Sequence, residues 1–206
     1  MYGHPAFRDA DPDRARDLIQ AHPLGTLVSY SADVGLTASP APFLVGEELE
    51  LSTHFPRANP QLESLRDGVS VLVSFSGREA YISPSYYASK AEHGKVVPTW
   101  NYEVVPVHGR VELIDDPAWL RRHLEDMTDT FEGGRADPWR VEDAPKAFTE
   151  QLIAALVGLR IHPERVEAKW KLSQNRSEAD RRSVIEALRA SPEPRDRAMA
   201  DAVAEG

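Results

Sequence analysis

The sequence predicts a mainly β protein of the α+β class, in which an antiparallel barrel is flanked by peripheral helices. Six or seven short segments show the alternation or the β-branched content typical of strands. Turns of hairpin length separate several of them. The strands do not alternate regularly with helices, which argues against a parallel, doubly wound sheet. A closed barrel would also leave no edge strand open to pairing with other chains.

The predicted strands follow one another with few helical interruptions. They are the segments 24–30, 35–45, 48–53, 69–75, 79–82, 104–114 and 157–170. Pro40 and Pro42 are expected to disturb the second ladder, because proline has no N–H to donate. A turn at Ser76-Gly77 is expected to separate the fourth strand from the fifth, and the last strand is expected to be interrupted near Pro163.

Helices are predicted where a capping side chain precedes a proline or an apolar stripe. Asp11-Pro12, Asn59-Pro60 and Asp116-Pro117 each combine an N-cap residue with proline at the first helical position. Ser177 is expected to cap a helix that runs to residue 190, with Asp180 as part of a capping-box variant. The segment 144–156 is also predicted to be helical.

Length and composition favour one domain over residues 1–190, followed by a flexible tail over 191–206. The chain has 206 residues, of which 41% are hydrophobic, so it can bury a core. The tail begins with Pro-Glu-Pro and continues with small and charged residues. No window is apolar enough to cross a membrane. The first 13 residues lack the apolar stretch of a signal peptide, so we expect a cytoplasmic protein.

Charge and cysteine content exclude several classes of function. The absence of cysteine removes disulfides, cysteine-ligated metals and thiol catalysis. The formal net charge of −9 makes direct DNA binding doubtful, because nucleic acid repels an acidic protein. Motifs of phosphate-binding loops, zinc proteases and serine hydrolases are missing. The seven histidines form no i,i+4 pair, so no metal site is expected.

Four segments combine polar, aromatic and basic residues in a way that indicates ligand binding. RANPQ (57–61) places an arginine before a capped helix start, which is an arrangement that binds anions. AYISPSYY (80–87) and VPTWNY (97–102) carry aromatic rings beside hydroxyl and amide groups. KLSQNRS (171–177) is a cationic, polar segment in an acidic chain. Each segment also has a purely structural interpretation, as a capped junction or a packed loop.

These segments, in this order, resemble the signature segments of the PaiB family of FMN-binding negative transcriptional regulators. The opening HPAFRDAD, the hairpin GTLVSY…APFLV and VIEAL near the end also fit that family, and the resemblance covers about residues 1–190. VPTWNY and KLSQNRS together are specific. The sequence departs from the family pattern at Val105-Pro106-Val107 before His108, and at His54-Phe55-Pro56 before RANPQ.

The resemblance implies an FMN-binding split barrel, akin to pyridoxamine-phosphate oxidases, that forms a homodimer with FMN at the interface. It implies that Arg57 and the amides near Asn59 hold the phosphate. The residues implied to contact the ribityl chain and the ring are Ser83, Tyr86, Thr99, Trp100 and Asn101. Those implied to come from the partner chain or to close the site are Lys171, Ser173, Gln174 and Asn175.

The resemblance also implies a transcriptional regulator or a flavin-responsive sensor. An alternative is a flavin-dependent oxidoreductase or flavin reductase that uses NAD(P)H, with Tyr86, His54 and His93 as candidate acid–base residues. A further alternative is a split barrel that binds a deazaflavin or haem. A deazaflavin also carries phosphate, so only the resemblance favours FMN. The sequence assigns no catalytic residue and leaves open whether the protein is an enzyme.

Overall fold

The computed structural model describes residues 5–9 and 11–206, so the opening segment 4–11 lies partly outside the described residues. The strands are β1 (Arg8–Asp9), β2 (Leu24–Ser31), β3 (Gly35–Pro42), β4 (Leu44–Val45), β5 (Leu51–Pro56), β6 (Ser70–Ile82), β7 (Thr99–Ile114), β8 (Leu156–Val166) and β9 (Ala168–Lys171). The α-helices are α1 (Pro12–Ala21), α2 (Ser89–His93), α3 (Pro117–Glu132), α4 (Lys146–Ala154), α5 (Glu178–Arg189) and α6 (Pro194–Glu205). These strand pairs are antiparallel. Together with the helices they agree with the predicted α+β class.

The chain forms two compact units. Unit 1 comprises Met1–Leu18, Ser76–Pro106 and Glu167–Gly206, and unit 2 comprises Ile19–Phe75 and Val107–Val166. Strands β6 and β7 each contribute residues to both units, because β6 changes unit after Phe75 and β7 changes unit after Pro106.

Unit 2 contains a sheet whose strands follow the order β3-β2-β6-β7-β8-β5-β4. Its core includes the fully buried side chains of Leu27, Phe75 and Ile161. The pairing of β7 with β8 shifts register between His108 and Gly109, where Gly109 lies opposite Pro163. The interruption predicted near Pro163 is therefore a register shift within a continuous strand, and β8 ends only at Val166.

Unit 1 combines the pairing of β9 with β1 and β7 with the C-terminal helices. Glu103, one of the buried carboxylates of unit 1, is 5% exposed. Both oxygens of Glu103 accept hydrogen bonds from the Arg78 guanidinium at 2.9 Å, and one also accepts from the Arg78 backbone N–H at 3.0 Å. The hydrogen bonds to Glu103 raise the pKa of Arg78. This bidentate geometry offsets the cost of burying the charge.

Several predicted strand boundaries are wrong. The predicted strands 35–45 and 157–170 each form two strands, β3 with β4 and β8 with β9. The expected turn at Ser76-Gly77 does not form, because β6 runs unbroken through it. A Cβ on Gly77 would lie 2.9 Å from Glu103 Oε2, so the glycine permits close approach rather than a turn. Strand β7 begins at Thr99 rather than at 104, which brings most of VPTWNY into the sheet. The start of the predicted strand 48–53 is a 3₁₀ turn, Glu47–Leu49, that precedes β5.

The segment 191–206, expected to be a flexible tail, instead contains helix α6. Met199, Ala200, Ala202 and Val203 of this helix are 0% exposed. Arg181 on α5 donates a hydrogen bond from Nη2 to the Val203 carbonyl at 2.7 Å. Two of these four buried residues are alanines. The proline and the charged residues of the segment made its composition resemble that of a flexible tail. Small side chains at helical spacing still pack closely, which explains the ordered helix.

We predict that Met199→Ala lowers the free energy of unfolding by about 2–5 kcal/mol, because it leaves a cavity in a fully buried position. The exposed Arg195→Ala on the same helix is the matched control, and it should change stability by less than about 0.5 kcal/mol. Urea unfolding of both variants makes the comparison. Equally small effects would show that α6 is not docked.

Candidate functional site

The predicted ligand-binding residues are divided between the two units. Those in unit 1 are Ser83, Tyr86, Thr99, Trp100, Asn101, Lys171, Ser173, Gln174 and Asn175. Those in unit 2 are Arg57 and Asn59. The structure therefore brings three of the four predicted segments into one unit.

The centre of the unit 1 group is the Lys171 ammonium. The pairing of β7 with β9 sets Tyr102 opposite Lys171. Lys171 Nζ donates hydrogen bonds to Thr99 Oγ1 and, at 2.7 Å, to the Trp100 carbonyl. Together with Tyr81, which contacts the Trp100 ring, these residues form what we call the Lys171 cluster: Tyr81, Thr99, Trp100 and Lys171.

The Lys171 cluster is electropositive. Burial, together with the positive charges of Lys169 and Arg176, lowers the pKa of Lys171. Both acceptors of the Lys171 ammonium are neutral oxygens, so these bonds do not cancel its charge. A cation in this setting favours an anionic partner.

Two exposed aromatic rings border the cluster. The Tyr81 and Trp100 side chains are 45% and 44% exposed, and their rings meet edge to face with centroids 6.0 Å apart. Ser83 follows Tyr81 by two residues, and its hydroxyl accepts the Ser85 N–H at the start of the 3₁₀ turn Pro84–Tyr86. Tyr81 is absent from the predicted set. Its spacing from Ser83 is the two-residue period of a strand face, which could have indicated it.

Several predicted residues use their polar groups within the protein. Asn101 is 1% exposed, and its Nδ2 donates to Ser173 Oγ at 2.9 Å. Gln174 donates from Nε2 to the Trp170 carbonyl and accepts the Leu172 N–H, both at 2.7 Å. These side chains hold the loop in which Ser173 has a positive φ of 65°. These hydrogen bonds stabilise the loop beside the cluster.

The predicted cap by Ser177 is confirmed, because its hydroxyl accepts the Asp180 N–H at 3.2 Å. The buried Asp180 carboxylate also accepts the backbone N–H and the hydroxyl of Ser89, both at 2.9 Å. Burial alone would raise the pKa of Asp180. The hydrogen bonds from Ser89 and Ser177 and the charge of Arg176 nevertheless hold it below its usual range. Asp180 thereby fixes the start of α2, close in sequence to AYISPSYY.

In unit 2, Arg57 already has partners. Its Nε donates to the Ala154 carbonyl at 2.9 Å, and its Nη2 pairs with Asp115 Oδ1. The Arg57 side chain remains 44% exposed. Asn59 Oδ1 accepts the Gln61 N–H at 2.9 Å, so the predicted cap is present on a 3₁₀ turn, Pro60–Ser64. An anion that binds Arg57 has to compete with the Asp115 carboxylate, which lies 58 positions away in the sequence and which no local pattern indicates.

His54, one of the candidate acid–base residues, lies in unit 2 beside His123. Their rings meet edge to face with centroids 5.4 Å apart. Burial lowers the pKa of His54, and burial together with the charge of His54 lowers the pKa of His123 to about 4. Both imidazoles are therefore neutral at pH 7. Residues 5–9 and 11–206 contain no metal-binding group of three or more His, Cys, Asp or Glu side chains.

We predict that the buried His123 makes the protein less stable in acid. Between pH 6.5 and about pH 4, the unfolded chain binds a proton at this position that the folded chain does not. Stability is therefore complete above pH 6.5 and falls as pH is lowered, by at most about 3 kcal/mol. Urea unfolding as a function of pH should show a shallower slope for His123→Gln and an unchanged slope for the exposed His93→Gln. Equal slopes for all three proteins would contradict the prediction.

Comparison with solved structures confirms the fold class. The FAD and heme binding protein from Mycobacterium smegmatis superposes with a TM-score of 0.59 at 22% identity, over 80% of this chain and 73% of that chain. The flavocytochrome Anf3 from Azotobacter vinelandii gives a TM-score of 0.58 at 18% identity, over 80% and 69% of the two chains. The predicted antiparallel, split-barrel class is thereby confirmed. In the described part of the chain, no helix is both long and apolar enough to span a membrane.

Comparison of sequences shows the family. The family model described as "Putative FMN-binding domain" matches residues 1–165. Protease synthase and sporulation protein PAI 2 of Bacillus subtilis is 30% identical over 203 residues, which cover 98% of this chain and 95% of the relative. An uncharacterized protein of Saccharomyces cerevisiae is 33% identical over 170 residues, 72% of this chain and 100% of the relative. The chain belongs to the PaiB family of FMN-binding proteins, and FMN is the cofactor that this membership assigns to it.

Proposed function

We propose that this protein is a flavin-responsive sensor and transcriptional regulator, which acts as a homodimer with FMN at the interface. The observation that carries the proposal is the Lys171 cluster, in which an ammonium held by neutral oxygens lies beside two exposed aromatic rings. A flavin domain over 1–190 and a cytoplasmic location are parts of the same proposal.

The residues present fit the chemistry of FMN. The cofactor has a phosphate of about −2 charge, a polyol and a planar ring. The cluster offers an ammonium and hydroxyls for the polyol or the polar atoms of the ring, and exposed aromatic rings for the planar system. Bound FMN supplies one- and two-electron redox chemistry. The residues of this chain bind and orient it, with Asn101, Ser173 and Gln174 supporting those that contact it.

The two cations predicted to bind the flavin, one in each unit, differ in their surroundings, which suggests separate roles. Arg57 offers a planar fork suited to phosphate, but it first has to exchange Asp115 for that phosphate. Lys171 has no carboxylate among its hydrogen-bond partners and lies beside the aromatic rings. We therefore assign the phosphate to Arg57, and the ring or polyol to Lys171.

Titrations of the variants with FMN and with riboflavin, which lacks the phosphate, test this assignment. Arg57→Ala should weaken FMN binding by about 1.5–3 kcal/mol, the range for hydrogen bonds to charged groups, and leave riboflavin affinity unchanged. Asp115→Asn should strengthen FMN binding, because it removes the competing charge. Lys171→Gln should weaken the binding of both ligands.

The exposed Arg182→Gln on α5 is the matched control and should bind both flavins as the wild type does. Unchanged FMN affinity in Arg57→Ala would show that the phosphate assignment is wrong. Unchanged affinity for both flavins in Lys171→Gln would remove the Lys171 cluster from the site.

The regulatory part of the proposal is supported by the name of the Bacillus subtilis relative, which links that protein to protease synthesis and sporulation. We propose that regulation works through flavin occupancy rather than through tight DNA binding, because the net charge is −9. The flavin reductase alternative is not favoured. One of its candidate acid–base residues, His54, packs against His123, and burial lowers its pKa, which makes it a weaker base.

The homodimer is supported by an apolar surface in unit 2. Leu24 and Tyr30 on β2 are 67% and 62% exposed, and Leu36 on β3 is 76% exposed. Tyr30 and Leu36 are paired across the hairpin, so their side chains lie on one face. Exposed apolar residues grouped on one face are typical of interaction surfaces. A second copy of this chain is the proposed partner.

We predict a dimeric mass for the wild-type protein by light scattering at micromolar concentration. Leu36→Lys should shift this mass toward the monomer, because it places a charge in the proposed interface. Phe148→Lys, at a 53% exposed apolar position on α4, is the matched control and should remain dimeric. A monomeric wild type, or a dimeric Leu36→Lys variant, would contradict the proposed interface.

A further inference from the structure

A polar cavity of about 210 Å³ lies within unit 2, beside α3 and β5. Its lining includes Ser52, Trp119, Arg122, His123, Asp126 and Arg160. None of these residues belongs to the set predicted to bind the flavin. The volume is below the ~300–1,000 Å³ typical of clefts for drug-sized ligands, so the cavity suits a smaller molecule than FMN.

One of the two arginines in the lining is already neutralised. Arg160 Nε lies 3.3 Å from Glu50 Oε1, and its Nη1 donates to Glu112 Oε2 at 3.0 Å. His162 contacts the same two carboxylates, with its ring nitrogens at 3.3 and 3.0 Å from them. Arg160 and Glu50 of this network line the cavity, and the two carboxylates leave Arg160 little capacity for a ligand.

Arg122 and Asp126 are both exposed to solvent, and neither side chain has an ion-pair or hydrogen-bond partner among the described residues. They stand four positions apart on α3, so both lie on the same face of the helix. One cation and one anion in the cavity lining are therefore paired with no other side chain. The half-buried hydroxyl of Ser52 is a further polar group in the lining.

One side of the cavity is aromatic. Trp119 stacks on His123 with ring centroids 4.9 Å apart and planes 9° from parallel, and the Arg160 guanidinium lies 5.7 Å from the Trp119 ring. A Cβ on Gly158 would lie 2.3 Å from Trp119 Cζ3, so the glycine allows β8 to pack directly against the indole. The His123 ring and the Arg160 guanidinium therefore both pack against Trp119. Burial lowers the pKa of His123, so its imidazole is neutral.

We propose that this cavity binds a small zwitterion of the amino acid type, with its carboxylate on Arg122 and its ammonium on Asp126. A simple anion would use Arg122 but would be repelled by Asp126 and Glu50, and a simple cation would leave Arg122 unused. Only a ligand with both charges satisfies both side chains. The inference goes beyond the proposed flavin function, because it adds a second ligand to the same chain.

The test is a calorimetric and thermal-shift screen of the full-length, FMN-loaded protein with the standard L-amino acids up to about 10 mM. At least one amino acid should bind and raise the unfolding midpoint. For that amino acid, the analogue without the carboxylate and the analogue without the amine should each bind at least about tenfold more weakly. For L-valine these analogues are isobutylamine and 3-methylbutanoate.

The variants Arg122→Gln and Asp126→Asn should each weaken binding by about ten- to hundredfold. Arg121→Gln, next to the site but outside the cavity lining, is the matched control and should leave the affinity unchanged. FMN affinity should be the same in all three variants, which separates this proposal from the flavin assignment. Three results would overturn the proposal. The first is that no amino acid binds, and the second is that the analogue without the amine binds as tightly as the amino acid itself. The third is that neither Arg122→Gln nor Asp126→Asn weakens the binding.

Discussion

The antiparallel pairing of β7 with β9 is the interaction on which the candidate site depends. It sets Tyr102 opposite Lys171 and so brings together VPTWNY and KLSQNRS, whose contacting residues Thr99 and Lys171 are 72 positions apart. A slip of one residue would turn the side chain of Lys171 to the opposite face of the strand. Because backbone hydrogen bonds fix the register, the cluster is organised before any ligand binds, and less of the binding energy is spent on ordering it.

Buried polar groups supply the second constraint. Asn101 holds Ser173, Gln174 closes the loop after β9, and Glu103 receives a bidentate hydrogen bond from Arg78. A buried polar group without a partner costs about 1–3 kcal/mol, so each of these pairs disfavours alternative loop arrangements. The same residues stand beside those that line the cluster. Loop support is therefore one physical reason for the polar character of these segments, and ligand contact is the other that we propose.

The sequence predicted much of the fold because local signals are strong there. The alternation at 24–30 and the Asp116-Pro117 cap correspond to β2 and α3. Features that depend on distant contacts were not predictable. Gly77 predicts a turn when the sequence is considered alone, because only the structure shows that Glu103 lies against it. The composition of α6 likewise predicts a tail, because only the structure shows that Ala200 and Ala202 are buried.

The candidate site divides in the same way. Lys171 and Trp100 stand out as a basic and an aromatic residue in an acidic chain, whereas Thr99 was assigned through the resemblance of VPTWNY to the family. The approach of Asp115 to Arg57 and the contact of His54 with His123 each join residues more than 50 positions apart. Neither residue type nor spacing signals such a pair. The roles of Asn101 and Gln174 as supports likewise became visible only from their burial and hydrogen bonds.

The proposed function depends on the binding of FMN by this chain. The decisive measurement is the visible absorption spectrum of the purified protein, followed by titration of the flavin-free protein with FMN. We expect a bound, two-band flavin spectrum and saturable uptake of FMN by the flavin-free form. A colourless protein that does not respond to added FMN would contradict it.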